Sequence, residues 1–246
     1  LKDSDLTVNK GDIMTIIGVN GSGKSTLLKA LSRNLKPLAG SIYLEGRPLS
    51  SFTSRQTARK MAVLPQMPKA PDDFTVRDLV SYGRYPYLGW NSRLKKQDHE
   101  VVDWAVGETK LEDLQHRFVA ALSGGERQRA WIAMALAQQP EILLLDEPTT
   151  FLDICCQFDV LDLVKRLNRS LNLTIVMVLH DLNQAARYSS RMVVLKDGSV
   201  YRDGTPEEIV TAQLLREVFQ IQVRILTDTD HGRPFFMPLS REETNF

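Results

Sequence analysis

The chain has 246 residues, enough for one large domain with a substantial core, and its 31 Lys plus Arg against 30 Asp plus Glu leave a formal net charge of +1. That balance argues against a dedicated nucleic-acid binder, which usually carries a strong basic excess, and 43% hydrophobic with 25% charged residues is the composition of an ordinary globular protein. No apolar run approaches the roughly 18 residues that a membrane-spanning helix needs, so any membrane role is expected to be peripheral.

Residues 12–17 are predicted to form a buried strand that runs into glycines, followed by a helix over 24–35 with apolar Leu27, Leu28 and Leu31 on one face. A short strand over 40–46, a helix over 54–60 and a strand over 61–64 closed by Pro65 come next. Between Pro68 and Leu122 the character changes: prolines and tyrosines cluster from Arg84 to Trp90, and 76–82 and 97–106 are patterned as helices. With the helix predicted over 124–137, this segment reads as a helical subdomain spanning about 68–138 inside a single domain of residues 1–246.

A strand over 142–146, a helix from about 155 to 171 and a strand over 174–179 follow, then strands over 191–196 and 199–202 around the turn Asp197-Gly198. Thr205-Pro206-Glu207-Glu208 opens a further helix with Pro at its first position. Strands alternating with helices imply an α/β fold, a mostly parallel sheet covered on both faces. The only cysteines, Cys155 and Cys156, are adjacent and cannot tie distant segments together, so no disulfide framework is expected and a reducing compartment fits.

Three segments carry chemistry. Gly18-Val19-Asn20-Gly21-Ser22-Gly23-Lys24-Ser25 matches G-x-x-x-x-G-K-[ST] between a predicted strand and a predicted helix, the context that pattern needs. Glycines let successive backbone N–H groups turn toward phosphate oxygens, the helix N-terminus adds its positive end, Lys24 adds a mobile charge, and the Ser25 hydroxyl is suited to Mg²⁺. Ile142 to Leu145 is an apolar strand that delivers Asp146 and Glu147 at its carboxyl end, the sheet edge where open α/β folds bind ligands. Asp146 is suited to hold Mg²⁺ and Glu147 to polarise a water attacking a γ-phosphate.

The third segment is Leu122-Ser123-Gly124-Gly125-Glu126. Ser123 with Glu126 three residues on is a capping box. Two glycines in a helix's first turn cost up to about 1 kcal/mol each against alanine, so something requires bare backbone there, and an anion approaching the helix N-terminus is one such requirement. A single nucleotide has no use for two such surfaces unless the second comes from another molecule.

Taken together these segments resemble the nucleotide-binding subunit of ATP-binding-cassette (ABC) transporters. The phosphate loop, Gln66, the Leu122 to Glu126 signature, Asp146-Glu147, Leu152-Asp153 and His180 occur in that family's order over nearly the whole chain. The resemblance implies the P-loop NTPase fold of the ABC ATPases, with an antiparallel β part and a helical insertion beside the parallel sheet. It implies a head-to-tail homodimer with two ATP molecules between its subunits. Gly18, Asn20, Gly21, Ser22, Gly23, Lys24, Ser25 and Thr26 of one subunit would hold each ATP from one side, and Ser123 and Gly125 of the other from the opposite side, with Asp153 crossing the interface. Ser25, Gln66 and Asp146 would serve Mg²⁺. Glu147, His180, Gln66 and Lys24 would carry the chemistry.

Two departures bear on this. The family's signature commonly ends in Gln where this chain has Glu126, a change expected to alter interface hydrogen bonding more than catalysis. The family also stacks adenine on an aromatic residue ahead of the phosphate loop, and no residue before Gly18 is aromatic. The N-terminal strand is therefore expected to be missing from this sequence, with weakened ATP affinity.

Within the family the resemblance is to importer ATPases for iron–siderophore complexes, and more loosely to those for haem or cobalamin. It rests on Thr75 to Arg84, Thr149 to Asp153, His180 to Ala185, Gly204 to Glu208 and Gly232-Arg233-Pro234. It implies a peripheral subunit on the cytoplasmic face of the inner membrane. Its helical subdomain, with Tyr82, Tyr85, Tyr87, Leu88 and Trp90, would contact transmembrane permease subunits, and a substrate-binding protein would be reached only indirectly; no nucleic acid is expected. Soluble repair-type ABC ATPases carry a long coiled coil after the glutamine, and no heptad run separates Gln66 from Ser123. Asn9-Lys10-Gly11-Asp12 spells the guanine-reading N-K-x-D pattern but precedes the phosphate loop, the wrong order for a GTPase, and reads as a turn into the first strand.

Overall fold

The longest apolar runs of the sequence lie side by side in one sheet. The computed structural model describes residues 1–2, 4–89, 93–229 and 232–239. Its strands are β1 (Ile13–Gly18), β2 (Tyr43–Leu44), β3 (Arg47–Pro48), β4 (Met61–Leu64), β5 (Ile142–Asp146), β6 (Thr174–Val178), β7 (Arg191–Lys196), β8 (Ser199–Gly204), β9 (Val223–Thr227) and β10 (Pro234–Pro238). Its α-helices are α1 (Lys24–Leu31), α2 (Ser54–Lys60), α3 (Val76–Tyr82), α4 (Lys96–Glu108), α5 (Gly124–Ala137), α6 (Ile154–Leu171), α7 (Leu182–Tyr188), α8 (Pro206–Ile209) and α9 (Ala212–Phe219).

The main sheet has the order β4-β5-β6-β1-β7-β8. Every pair is parallel except β7 with β8, which form an antiparallel hairpin. The chain leaves β1 in one direction and later crosses back over it from β6 to β7, so the strand order reverses at β1, the place where open α/β sheets leave a crevice for ligands. Burial on both faces explains the near-continuous apolar strands: all five residues of β6 are buried, as are Leu143, Leu144 and Leu145 of β5.

Helices α3, α4 and α5 pack on one another beside β4, and α5 also touches α6. That position makes α5 apolar on nearly every side, with Ala130, Ile132, Ala133 and Leu136 all buried. The layer is fixed by a buried charge pair: Arg84 Nε donates to Asp98 Oδ1 at 3.0 Å, while Nη1 of Arg84 donates to the carbonyl of Ala137 at 2.8 Å. The β9–β10 hairpin, which the sequence pattern does not disclose, lies on α7. Asn183 Nδ2 donates to the Phe236 carbonyl at 3.2 Å and Asn183 Oδ1 accepts from the Phe236 N–H at 3.0 Å.

Two predicted elements are shorter than expected by more than one residue, and the strand predicted over 174–179 ends at Val178. The helix over 24–35 stops at Leu31, because Arg33 takes a left-handed φ of 63° and the Leu35 N–H turns back to the Lys29 carbonyl. The strand over 40–46 shrinks to Tyr43–Leu44, paired only with β3. Among the described residues no helix is long and apolar enough to cross a membrane.

Candidate functional site

The carboxyl ends of β1, β5 and β6 deliver the first group of side chains. At the end of β1, a Cβ on Gly18 would lie 2.3 Å from the Leu195 carbonyl oxygen and 2.7 Å from Ser22 Oγ, so no other residue fits. The loop through Asn20 and Gly21 is exposed. Gly23, at φ 102°, starts α1 without any side chain accepting from its first turn, which leaves those N–H groups directed at the loop's concavity. Lys24 is buried, and its Nζ donates to the carbonyls of Gly18 at 2.9 Å and Val19 at 3.0 Å. Burial lowers its pKa, against the pull of Glu147 and Asp146. Ser22 Oγ is buried without a hydrogen-bond partner. A loop that stores a cation and an unpaired hydroxyl against its own backbone is built for an anion with several oxygens. Thr26 lies exposed one residue beyond Ser25.

Ser25 Oγ donates to Asp146 Oδ1 at 3.3 Å, which places two hard oxygen ligands together at the junction of α1 and β5. Burial, then the neighbouring Glu147, raises the Asp146 pKa, and the Ser25 hydroxyl offsets part of that. Glu147 turns out of the strand with a left-handed φ of 52°. Both of its carboxylate oxygens are engaged: Oε1 lies 2.5 Å from His180 Nε2, while Oε2 accepts from Gln66 Nε2 and, at 3.1 Å, from Thr150 Oγ1. Gln66 follows β4, and His180 follows β6 in register with the end of β5, where Asp146 pairs with Val178. Four loops thus converge on one carboxylate pair.

Ser123, Gly125 and Asp153 form a second group at the N-termini of α5 and α6. The Ser123 N–H and hydroxyl both donate to Glu126 Oε2 at 2.8 Å, and Ser123 Oγ accepts from the Glu126 N–H at 3.4 Å. The backbone N–H of Ser123, then its hydroxyl, lowers the Glu126 pKa. Asp153 caps α6, accepting from the Cys156 N–H at 2.9 Å. The paired glycines have a reason within the chain that the sequence does not disclose. A Cβ on Gly124 would meet Leu152 Cδ2 at 3.0 Å, and one on Gly125 would meet Cys156 Sγ at 2.8 Å. The approach of Cys156 on α6 calls for bare backbone at Gly125 whether or not an anion does, while Leu152 crowds Gly124 less.

The remaining expectations divide. Asn9-Lys10-Gly11-Asp12 is a turn: the Asp12 N–H donates to the Asn9 carbonyl at 3.2 Å, and the Asp12 carboxylate accepts from the Asn9 N–H at 3.1 Å. Tyr82 and Tyr85 are exposed. Tyr87 is instead packed between the Arg84 and Arg59 guanidiniums and donates to the Gln138 carbonyl at 2.9 Å, while Leu88 is half-buried and Trp90 lies outside the described residues. Sequence reasoning misses the roles that Thr150 and Asn183 play here. The only signal for Thr150 is a hydroxyl three residues after a carboxylate, a spacing at which turn side chains bond locally.

Comparison with known proteins places these features in a context. Residues 1–150 match the family model described as ABC transporter. The chain is 48% identical to the petrobactin import ATP-binding protein FpuC of Bacillus anthracis, over 97% of this chain and 87% of that protein. It is 47% identical to the iron(3+)-hydroxamate import ATP-binding protein FhuC of Bacillus subtilis, over 95% of this chain and 87% of that one. Among solved structures, an inward-facing conformation of a metal-chelate type ABC transporter superposes with a TM-score of 0.83 at 30% identity, covering 97% of this chain and 91% of that one.

Proposed function

The chain belongs to the ABC transporter family as one of its ATP-binding, ATP-hydrolysing subunits, and from that premise we propose that it powers import of an iron–siderophore complex. Relatives at nearly equal identity serve petrobactin in one case and an iron(3+)-hydroxamate in another. The ferric chelate is thus the shared chemistry, and its particular siderophore is selected by other components. The observation that carries the catalytic reading is the convergence of Lys24, Ser25, Gln66, Asp146, Glu147 and His180 on one edge of the sheet.

We assign the phosphate loop, residues Gly18, Asn20, Gly21, Ser22, Gly23, Lys24, Ser25 and Thr26, to ATP. On binding, the Lys24 ammonium exchanges its two carbonyl partners for phosphate oxygens, and Ser22 Oγ gains the partner it lacks. Among the described residues no group of three or more His, Cys, Asp or Glu side chains is placed to hold a metal ion alone. Mg²⁺ on a nucleotide needs less, because it keeps waters and phosphate oxygens as ligands, and Ser25 with Asp146 and the neighbouring Gln66 fits that demand. Mg²⁺ there supplies charge neutralisation on the phosphate oxygens. Glu147 orients and polarises the attacking water, and His180 contacts the γ-phosphate; both roles require that Gln66 and His180 release the carboxylate they hold.

The second phosphate-facing group, Ser123 and Gly125 with Asp153, belongs to the opposite nucleotide of a head-to-tail dimer of this chain. The α3–α5 layer, where Tyr82 and Tyr85 remain exposed, faces permease subunits at the cytoplasmic side of the membrane. The test is sedimentation of Glu147→Gln with Mg-ATP in the presence of its permease. Supporting results are loss of turnover with ATP-dependent pairing of two copies; a variant that stays single, or one that hydrolyses at the wild-type rate, refutes the reading. Uptake of labelled ferric siderophore against haem and cobalamin in cells lacking and regaining this chain decides the cargo class.

A further inference from the structure

Of the three side chains that hold Glu147, two come from distant loops. Gln66 and His180 are both exposed, and under the function proposed above both must turn to the nucleotide. Thr150 differs. It belongs to the same turn as Glu147, half-buried, and closes that turn twice: its N–H donates to the Glu147 carbonyl at 3.2 Å and its hydroxyl to Glu147 Oε2 at 3.1 Å. Pro148 inside the turn, together with the left-handed Glu147, leaves the segment few alternative shapes.

We propose that Thr150 is a positioning residue for hydrolysis: its hydroxyl holds the Glu147 carboxylate in its attack-directing orientation after Gln66 and His180 have let go. A hydroxyl on the same turn is the one tether that nucleotide binding has no reason to remove. A hydrogen bond to a charged group that fixes the side chain's rotamer is the kind of second contact on which a general base depends.

The inference rests on the ATPase reading, and the experiment separates the two. Steady-state hydrolysis of Mg-ATP by the full chain is compared for wild type, Thr150→Val, Thr150→Ala and Thr150→Ser, with thermal melts for each. Valine keeps the shape and removes the hydroxyl. The expected result is a fall in kcat of roughly tenfold to a hundredfold for Val and Ala, a KM for ATP within about twofold, and recovery by Ser. On the residual single-turnover hydrolysis left by Glu147→Gln, Thr150→Val should add no further loss, since it acts through that carboxylate. Unchanged kcat in both Val and Ala, loss that Ser fails to recover, or a full additional loss on top of Glu147→Gln each overturns the role. A wild-type chain that binds no Mg-ATP overturns the underlying reading and this one with it.

Discussion

His180 Nε2 lies 2.5 Å from Glu147 Oε1, joining the residues that leave two adjacent parallel strands at the same level. The imidazole therefore holds the proposed base, and under the function proposed above it must leave that base when a nucleotide binds. Replacing His180 with Ala should lower kcat about a hundredfold, the lower end of the range for general acid–base partners, while ATP affinity measured by calorimetry changes only a few-fold. Equal turnover in wild type and variant would remove His180 from the chemistry.

Gly125 is bare partly because Cys156 occupies the space its side chain would need. Gly125→Ala should lower the melting temperature by about 2–10 °C, the effect of about 1–3 kcal/mol of overpacking in a chain of this size. In a Cys156→Gly background, which carries its own cost of up to about 1 kcal/mol for a glycine in α6, the penalty of Gly125→Ala should largely vanish. Turnover should stay low in the double variant, because a side chain still stands where phosphate is proposed to approach. An identical melting penalty in both backgrounds would show that the thiol is not the obstacle.

Arg84 and Asp98 form a buried pair with side-chain exposures of 7% and 10%. Burial pushes the Asp98 pKa up, but the Lys95 N–H and the Arg84 guanidinium outweigh it, and the net shift is downward. Removing one partner of such a pair costs about 3–5 kcal/mol, so Asp98→Asn should melt roughly 6–20 °C lower near neutral pH. The sign with pH follows from the lowered pKa: the contribution is complete above the ordinary carboxylate value of about 3.9 and is lost as pH falls through the lowered one. Melts of wild type and variant should therefore converge in acid, and a gap that widened instead would contradict the assignment.

Glu126 accepts both donors of Ser123, a role that glutamine's carbonyl can also fill. Glu126→Gln should keep hydrolysis within about threefold of wild type. Glu126→Ala should lose the reciprocal cap and about 1 kcal/mol, a drop of roughly 2–4 °C in melting temperature. If Gln behaves like Ala, the negative charge rather than the cap is what this position supplies.

Much of the site is readable because its chemistry is local in sequence. The loop from Gly18 to Ser25 and the strand that ends in Asp146 carry their physical reasons in their own residues, glycine where backbone must approach and apolar side chains where a strand is buried twice. Gln66 and His180 are identifiable by family order alone, since nothing in a lone glutamine or a strand-end histidine announces a carboxylate partner. The packing origin of Gly124 and Gly125 stays hidden because Leu152 and Cys156 meet them only after α5 and α6 cross. The β9–β10 hairpin escapes for a similar reason: its short strands are half-exposed, and their apolar side chains find a partner surface only in the folded core beside α7 and α9.

The paired hydrogen bonds between Asn183 and the backbone of Phe236 splice the final hairpin onto the helix that begins just past His180. The helix that follows the histidine is thereby tied to a strand 53 residues further along the chain. Release of that ribbon would leave the Asn183 amide and both backbone groups of Phe236 to find their partners in water.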